Sequence, residues 1–127
     1  MGRRKMLAVC GIVRRKGKIL VCKRPACGLF PGLWELPTES LEENETIEDA
    51  LERVFFERLT VNVKNMRAVG AVSAENIRFL GYEVELRKNF FHIYGYEGFR
   101  WVKPSGLSVM RIFEPHVTLL THSSMLV

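Results

Sequence analysis

Apolar residues recur along the chain with two different periods, and together they divide it into short strands and one clear helix. Residues 7–13 and 19–22 are apolar, β-branched-rich runs parted by Arg15, Lys16, Gly17 and Lys18, where the glycine can take the positive φ of a tight turn. This spacing predicts a β-hairpin. Pro25, Gly28, Pro31 and Gly32 exclude regular structure from the next segment. Leu33-Trp34-Glu35-Leu36 then reads as a short strand stopped by Pro37, with an acidic loop after it. Ile47, Ala50, Leu51, Val54, Phe55 and Leu59 follow the i, i+3, i+4, i+7, i+8 spacing of a helix buried along one stripe, with Glu45, Glu48 and Glu52 on the opposite face. Thr46 is placed to cap this helix through its hydroxyl, Glu48 and Asp49 suit its dipole, and it should end near Leu59. Residues 61–72, 79–86 and 99–102 read as further strands. A helical turn runs from Pro104 toward Met110, and a last short helix starts near Pro115.

The resulting order, β-β-loop-β-loop-helix-β-β-β-helix, is that of a mixed β-sheet packed between helices, an α+β (mixed α/β) class. With 47% apolar and 26% charged residues, the chain fits one compact domain over residues 1–127. No apolar run approaches the roughly 20 residues of a membrane span. The apolar stretch 6–13 runs straight into Arg14, Arg15 and Lys16 with no small-residue cleavage site, so it reads as a strand and not a signal. No membrane partner and a cytoplasmic location are the expectations. Cys10, Cys22 and Cys27 lack the paired spacing of a zinc site or a disulfide framework and read as reduced, structural thiols.

Charge is strongly segregated. Arg3, Arg4, Lys5, Arg14, Arg15, Lys16, Lys18, Lys23 and Arg24 all precede the first acid, Glu35. From Glu35 to Glu57 the charged residues are acidic except for Arg53. The net charge of +5 fits either a phosphate-bearing partner or a solvated basic surface.

The acidic block, with Gly32-Leu33-Trp34-Glu35-Leu36-Pro37 before it, resembles the Nudix domain, whose box reads Gly-x5-Glu-x7-Arg-Glu-U-x-Glu-Glu-x-Gly-U with U aliphatic. Glu45 and Arg53 match the first Glu and the Arg with the required gap, and residues 33–37 resemble the aromatic-Glu-Phe-Pro approach to the box. This register sets Glu39 on the box's first Gly, Val54 on its first metal-binding Glu, Arg58 on its last and Thr60 on its second Gly. Glu57 alone remains of the three. In the family those glutamates hold Mg²⁺ with hard oxygen ligands so that water can attack a diphosphate. Valine supplies no oxygen. A cation at position 58 opposes a metal, since two unit charges about 4 Å apart interact by roughly 4 kcal/mol at an effective dielectric near 20. The resemblance therefore implies a Nudix-like fold, with Glu57 and Arg53 as the catalytic candidates. Glu57 is a metal ligand only if the chain is active, with Mg²⁺ as cofactor in that case and none otherwise. Glu39, Glu42 and Glu43 lie where a loop can fold over the helix start and rebuild a site.

Within that family, residues 22–37, Cys22-Lys23-Arg24-Pro25 through Gly32-Leu33-Trp34-Glu35-Leu36-Pro37, are most similar to the C-terminal domain of adenine DNA glycosylases. That domain helps inspect 8-oxoguanine opposite adenine and has lost the hydrolytic glutamates. The likeness stops at Glu75-Asn76-Ile77-Arg78, where the glycosylases carry a Ser/Thr-His reader. Lys23 and Arg24, at a strand end, are the phosphate-contact candidates. Phe30 and Trp34 can stack on a base, worth roughly 1–3 kcal/mol each, or can belong to the core. Phe90, Phe91, Tyr94 and Tyr96 cluster around His92 as pocket lining or as a strand with alternate packing, while His92, His116 and His122 read as satisfied or surface residues. The function expected is nucleotide or nucleic-acid recognition without standard Nudix hydrolysis, linked to oxidised-guanine repair and to a protein partner. The alternative is a Mg²⁺-dependent pyrophosphohydrolase acting on nucleoside diphosphate derivatives.

Overall fold

The structure, a computed structural model, describes residues 6–27 and 30–122, with His122 known by its backbone alone. Gly28 and Leu29, part of the expected loop, lie outside the described residues. Strand β1 (Met6–Arg15) turns through Lys16 and Gly17, at φ 52° and 76°, into β2 (Lys18–Lys23). Two positive φ values are what the type I′ turn of a two-residue hairpin requires. Then come β3 (Trp34–Glu35) and β4 (Thr38–Ser40), α1 (Ile47–Leu59), and the long strands β5 (Val63–Ala74) and β6 (Ile77–Leu86). The chain continues through β7 (Gly98–Val102) and a 3-10 turn (Pro104–Val109) to α2 (Glu114–His122).

Strand β1 organises the sheet. It pairs in parallel with β6 from Met6↔Ile77 to Val13↔Val84, antiparallel with β4 over Ala8–Cys10, and antiparallel with β2 at the hairpin end. Strand β5 closes the sheet beyond β6, whereas β2 diverges and carries β3 and β7 on its own edges. Both faces are covered. Helix α1 puts Ala50, Leu51, Val54, Phe55 and Leu59 against Val9, Val13, Leu20 and Val84. Helix α2 puts Leu119 and Leu120 against Ile12, Val21 and Phe79 on the other face. At about 1.5–3 kcal/mol per fully buried large aliphatic or aromatic side chain, these stripes dominate the stability of both helices.

The helix ends follow local chemistry. Thr46 Oγ1 accepts the Asp49 N–H at 3.1 Å, a cap worth about 1 kcal/mol. At the other end Thr60 stands in the left-handed region at φ 51°, a conformation costly for a β-branched residue, and its hydroxyl lies within hydrogen-bonding distance of the Leu59 and His92 carbonyls. Gly11 lets α1 approach the sheet closely, because a Cβ there would come within 2.3 Å of the Phe55 ring.

Two expectations need correction. The segment after Pro37 is not wholly loop, since Thr38–Ser40 forms β4 on β1, and a three-residue strand is too short to leave a periodic signal. Residues 90–96 are not a strand. They run along the end of α1 instead, with the Tyr94 N–H donating to the Arg58 carbonyl and the His92 N–H to that of Leu59.

Candidate functional site

A cavity of about 470 Å³ opens where β1, β3, β4, the end of α1, the segment before β7 and the start of α2 converge. Its walls divide by chemistry. Phe30, Phe79 and Phe113 form an aromatic side, with the Phe113 ring 5.9 Å from Phe30 and 5.5 Å from Phe79. The other side is charged and carries Arg24, Glu35, Glu39 and Arg58.

The charged side is a continuous chain of contacts. Arg24 Nη1 donates to Glu35 Oε1 at 2.7 Å, and the Tyr96 hydroxyl donates to Glu35 Oε2 at 3.1 Å. The Tyr96 ring lies 5.5 Å from the Arg58 guanidinium, which donates through Nη2 and Nε to Glu39 Oε2 at 2.9 and 3.2 Å. Burial raises the Glu35 pKa, against the opposing pull of Arg24.

His116, on the apolar stripe of α2, closes the cavity floor. The Leu36 N–H donates to Nδ1 at 3.1 Å, so that nitrogen carries no proton. Nε2–H points to Thr38 Oγ1 at 3.3 Å, and the Thr38 hydroxyl donates to the Leu36 carbonyl at 2.7 Å. A second ring proton would confront the Leu36 N–H. Burial first, and then the Arg24 charge, push the His116 pKa down to about 3. The depressed value means that the unfolded chain takes up a proton the fold refuses, so this contribution is present above about pH 6.5 and is lost as pH falls toward 3. At pH 4.5 the loss is about 3 kcal/mol. Urea unfolding at pH 7 and 4.5 is expected to show His116→Gln narrowing the difference by about that amount; an unchanged difference would contradict the neutral-imidazole network. Cys10, 3.4 Å from Nε2, is pushed up to about 12 by burial and is an inert thiol.

The residues singled out from the sequence are dispersed. Arg24 and Phe30 line the cavity. Lys23 pairs across β2 with Trp34 and Gly98, and its Nζ lies 3.8 Å from Glu97. Trp34, half-buried, packs against the core layer under α2, with the Arg100 guanidinium 5.2 Å from its ring, and is not among the residues lining the cavity. Arg53 donates to Glu45 at 2.8 and 3.1 Å and to the Ser40 carbonyl at 2.7 Å, binding the loop before α1 to the helix. Glu57 is exposed and 3.7 Å from Arg53. Of the loop acids, Glu39 goes to Arg58, Glu42 lies 3.7 Å from Arg53, and Glu43 is exposed. Tyr96 belongs to the aromatic cluster around His92, and it alone of that cluster lines the cavity. Phe79, Phe113 and His116 escape sequence reasoning as site residues. His116 is legible as a polar residue at a core position of the last helix; the two phenylalanines carry no signal beyond apolarity.

A family model of the NUDIX domain matches residues 8–122. The chain belongs to the NUDIX domain family. Among curated relatives, this Nudix chain is 27% identical to the nucleoside triphosphatase NudI of Escherichia fergusonii over 122 residues, covering 83% of this chain and 86% of that one. Among solved structures, one from work on the MutT proteins of Aliivibrio salmonicida and Vibrio cholerae superposes with a TM-score of 0.80 at 23% identity, over 97% of this chain and 98% of its own. The C-terminal domain of mouse MUTYH, solved in complex with human PCNA, superposes with a TM-score of 0.70 at 18% identity, over 94% and 87%. The two structures establish the shared Nudix fold. No helix of the described residues is long and apolar enough to cross a membrane.

Proposed function

We propose that this Nudix domain recognises a nucleotide, free or at a nucleic-acid end, in the cavity between Phe113 and Arg58, without the standard Nudix hydrolysis. The observation that carries the reading is Arg58. It stands where the box has its last metal-binding glutamate, its guanidinium is bound to Glu39, and both line the cavity. The donor set does not fit Mg²⁺. Val54 is fully buried and apolar, Glu57 leans toward Arg53, and among the described residues no three His, Cys, Asp or Glu side chains are grouped to hold a metal. The cavity's size and its division into aromatic and charged walls suit a nucleoside phosphate. Lys23, at the end of β2 and 3.8 Å from Glu97, lies outside the cavity lining and enters this proposal only as a contact to a longer ligand. The resemblance of residues 22–37 to the adenine glycosylase domain extends this proposal to a setting in oxidised-guanine repair, and the MUTYH domain of the same fold, solved with PCNA, to a protein partner; a cytoplasmic location is part of the same proposal.

The second reading is a Mg²⁺-dependent pyrophosphohydrolase acting on nucleoside diphosphate derivatives, and the comparisons with known proteins favour it over the first, since the chain matches the NUDIX family model and, over most of its length, a nucleoside triphosphatase. In that reading Glu57, aided by loop acids, is the metal ligand and Arg53 holds the loop. Phosphate and pyrophosphate release from a panel of nucleoside di- and triphosphates, including 8-oxo-dGTP, separates the two. Binding by calorimetry without turnover in Mg²⁺ or Mn²⁺ is expected. Turnover abolished by Glu57→Gln would establish the hydrolase instead.

A further inference from the structure

We infer that Arg58 does the work a divalent cation does elsewhere in the family, so that a nucleoside phosphate binds this cavity through guanidinium groups with no metal required. The inference rests on the nucleotide-recognition reading and adds the chemistry of the contact.

Three observations lead to it. Glu39 engages one edge of the Arg58 guanidinium, Nε and Nη2, through a single carboxylate oxygen. The other edge, Nη1, faces Gly95 so closely that a Cβ at that position would come within 2.7 Å of it. Gly95 stands at φ 80°, a conformation that disfavours any side chain at that position, so bare backbone faces that nitrogen. The guanidinium is further held over the Tyr96 ring, and the same tyrosine bonds Glu35, which holds Arg24. Both arginines line the cavity that carries the aromatic wall.

The physical consequence follows from donor counting. An arginine has five N–H donors in a rigid fork that matches phosphate oxygens, and the carboxylate on Arg58 occupies two of them. A fixed guanidinium supplies positive charge to a diphosphate, as Mg²⁺ does, and adds directional N–H donors in place of metal–oxygen coordination, but it provides no activated water. Such a site binds without hydrolysing. Glu39 has the same sign of charge as the ligand and acts by orienting Arg58, which gives the arrangement a diagnostic polarity. Removing the Glu39 charge should tighten phosphate binding, whereas in a metal-holding site the same change removes an acid and weakens it.

Calorimetric titration of the whole chain with ADP and with dGTP, in EDTA and in millimolar Mg²⁺, tests this. Affinities within about threefold of each other in the two buffers are expected, with Glu39→Gln binding more tightly and Arg58→Met at least about tenfold more weakly, in line with loss of a charge-assisted contact. Should Arg58→Met not fold, as circular dichroism would report, Arg58→Lys keeps the charge without the fork and is expected to bind about fivefold more weakly. Binding that needs Mg²⁺, or that is unmoved by the change at Arg58, overturns the inference while leaving nucleotide recognition intact. Absence of binding in both buffers overturns both.

Discussion

Val54→Glu, which puts a glutamate where the proposed register sets the first metal-binding letter of the Nudix box, is expected to cost roughly 3–5 kcal/mol at neutral pH, since it buries a carboxylate with no partner. Val54 is fully buried among Val9, Leu51, Phe55 and their neighbours. A loss of that size is a large part of the roughly 5–15 kcal/mol that holds a typical domain together. Its pH dependence has a definite sign. Burial raises the folded-state pKa of the new carboxyl above its unfolded value, so the destabilisation is greatest above that raised pKa and shrinks as pH falls toward the unfolded one. Urea midpoints at pH 7 and pH 5, with and without millimolar Mg²⁺, provide the measurement. Addition of Mg²⁺ is expected to leave the variant's midpoint unmoved. A variant as stable as the parent, and further stabilised by Mg²⁺, would mean that position 54 reaches a metal site and would favour the hydrolase reading over the proposed recognition without turnover.

Removing Arg53 should have the next largest effect. Its guanidinium makes two bonds to Glu45 and one to the Ser40 carbonyl, tying the 40–45 segment to the middle of α1. Arg53→Met leaves both acceptors without this donor, and about 2–3 kcal/mol of stability should go with it. Arg53→Lys restores little, because an ammonium cannot reproduce the bidentate fork. The Arg53 bonds, with the Glu42 N–H, hold the Glu45 pKa below the ordinary carboxylate range. A depressed carboxyl contributes stability above its unfolded pKa and loses it as pH falls through the folded one, so Arg53→Met should flatten the acid limb of the stability profile below about pH 4.5. Glu57→Gln provides the contrast. Its carboxylate is exposed and 3.7 Å from Arg53, and a change within about 0.5 kcal/mol is expected. Thermal or urea unfolding of the three variants at pH 7 and pH 4 would check the series, and a harmless Arg53→Met would remove the structural role of this residue.

The same residue shows why the site is only partly legible in the sequence. Arg53 and Glu45 stand at the spacing of the Nudix box, and an arginine amid acids reads naturally as a catalytic candidate. The folded geometry adds that it braces the loop that β4 leads into, because α1 brings position 53 up against Glu45 and the Ser40 carbonyl. Glu39 and Arg58 are nineteen residues apart and read separately along the chain, one as a loop acid and the other as a misplaced cation; they meet because β4 pairs with β1 beside the end of α1. Tyr96 enters the site through the 90–96 segment, whose path is fixed by hydrogen bonds to the last carbonyls of α1 and leaves no periodic mark in the sequence.

The sequence by itself determined the hairpin, the capped amphipathic helix and the order of the longer elements, because local backbone preference and one-sided apolar burial act over a few residues and repeat with the period of each element; the three-residue β4 left no such mark, and the Nudix family was legible through the resemblance of residues 33–37, Glu45 and Arg53 to its box. It also determined that positions 54 and 58 carry no metal-binding oxygen. Only the tertiary structure decided that Arg58 and Glu39 pair, that Trp34 packs against the core layer, and that His116, Tyr96 and Phe113 share one cavity. Those relations join residues far apart in the chain through strand pairing and helix packing, and their energies depend on the burial and distance that only the assembled sheet and helices create.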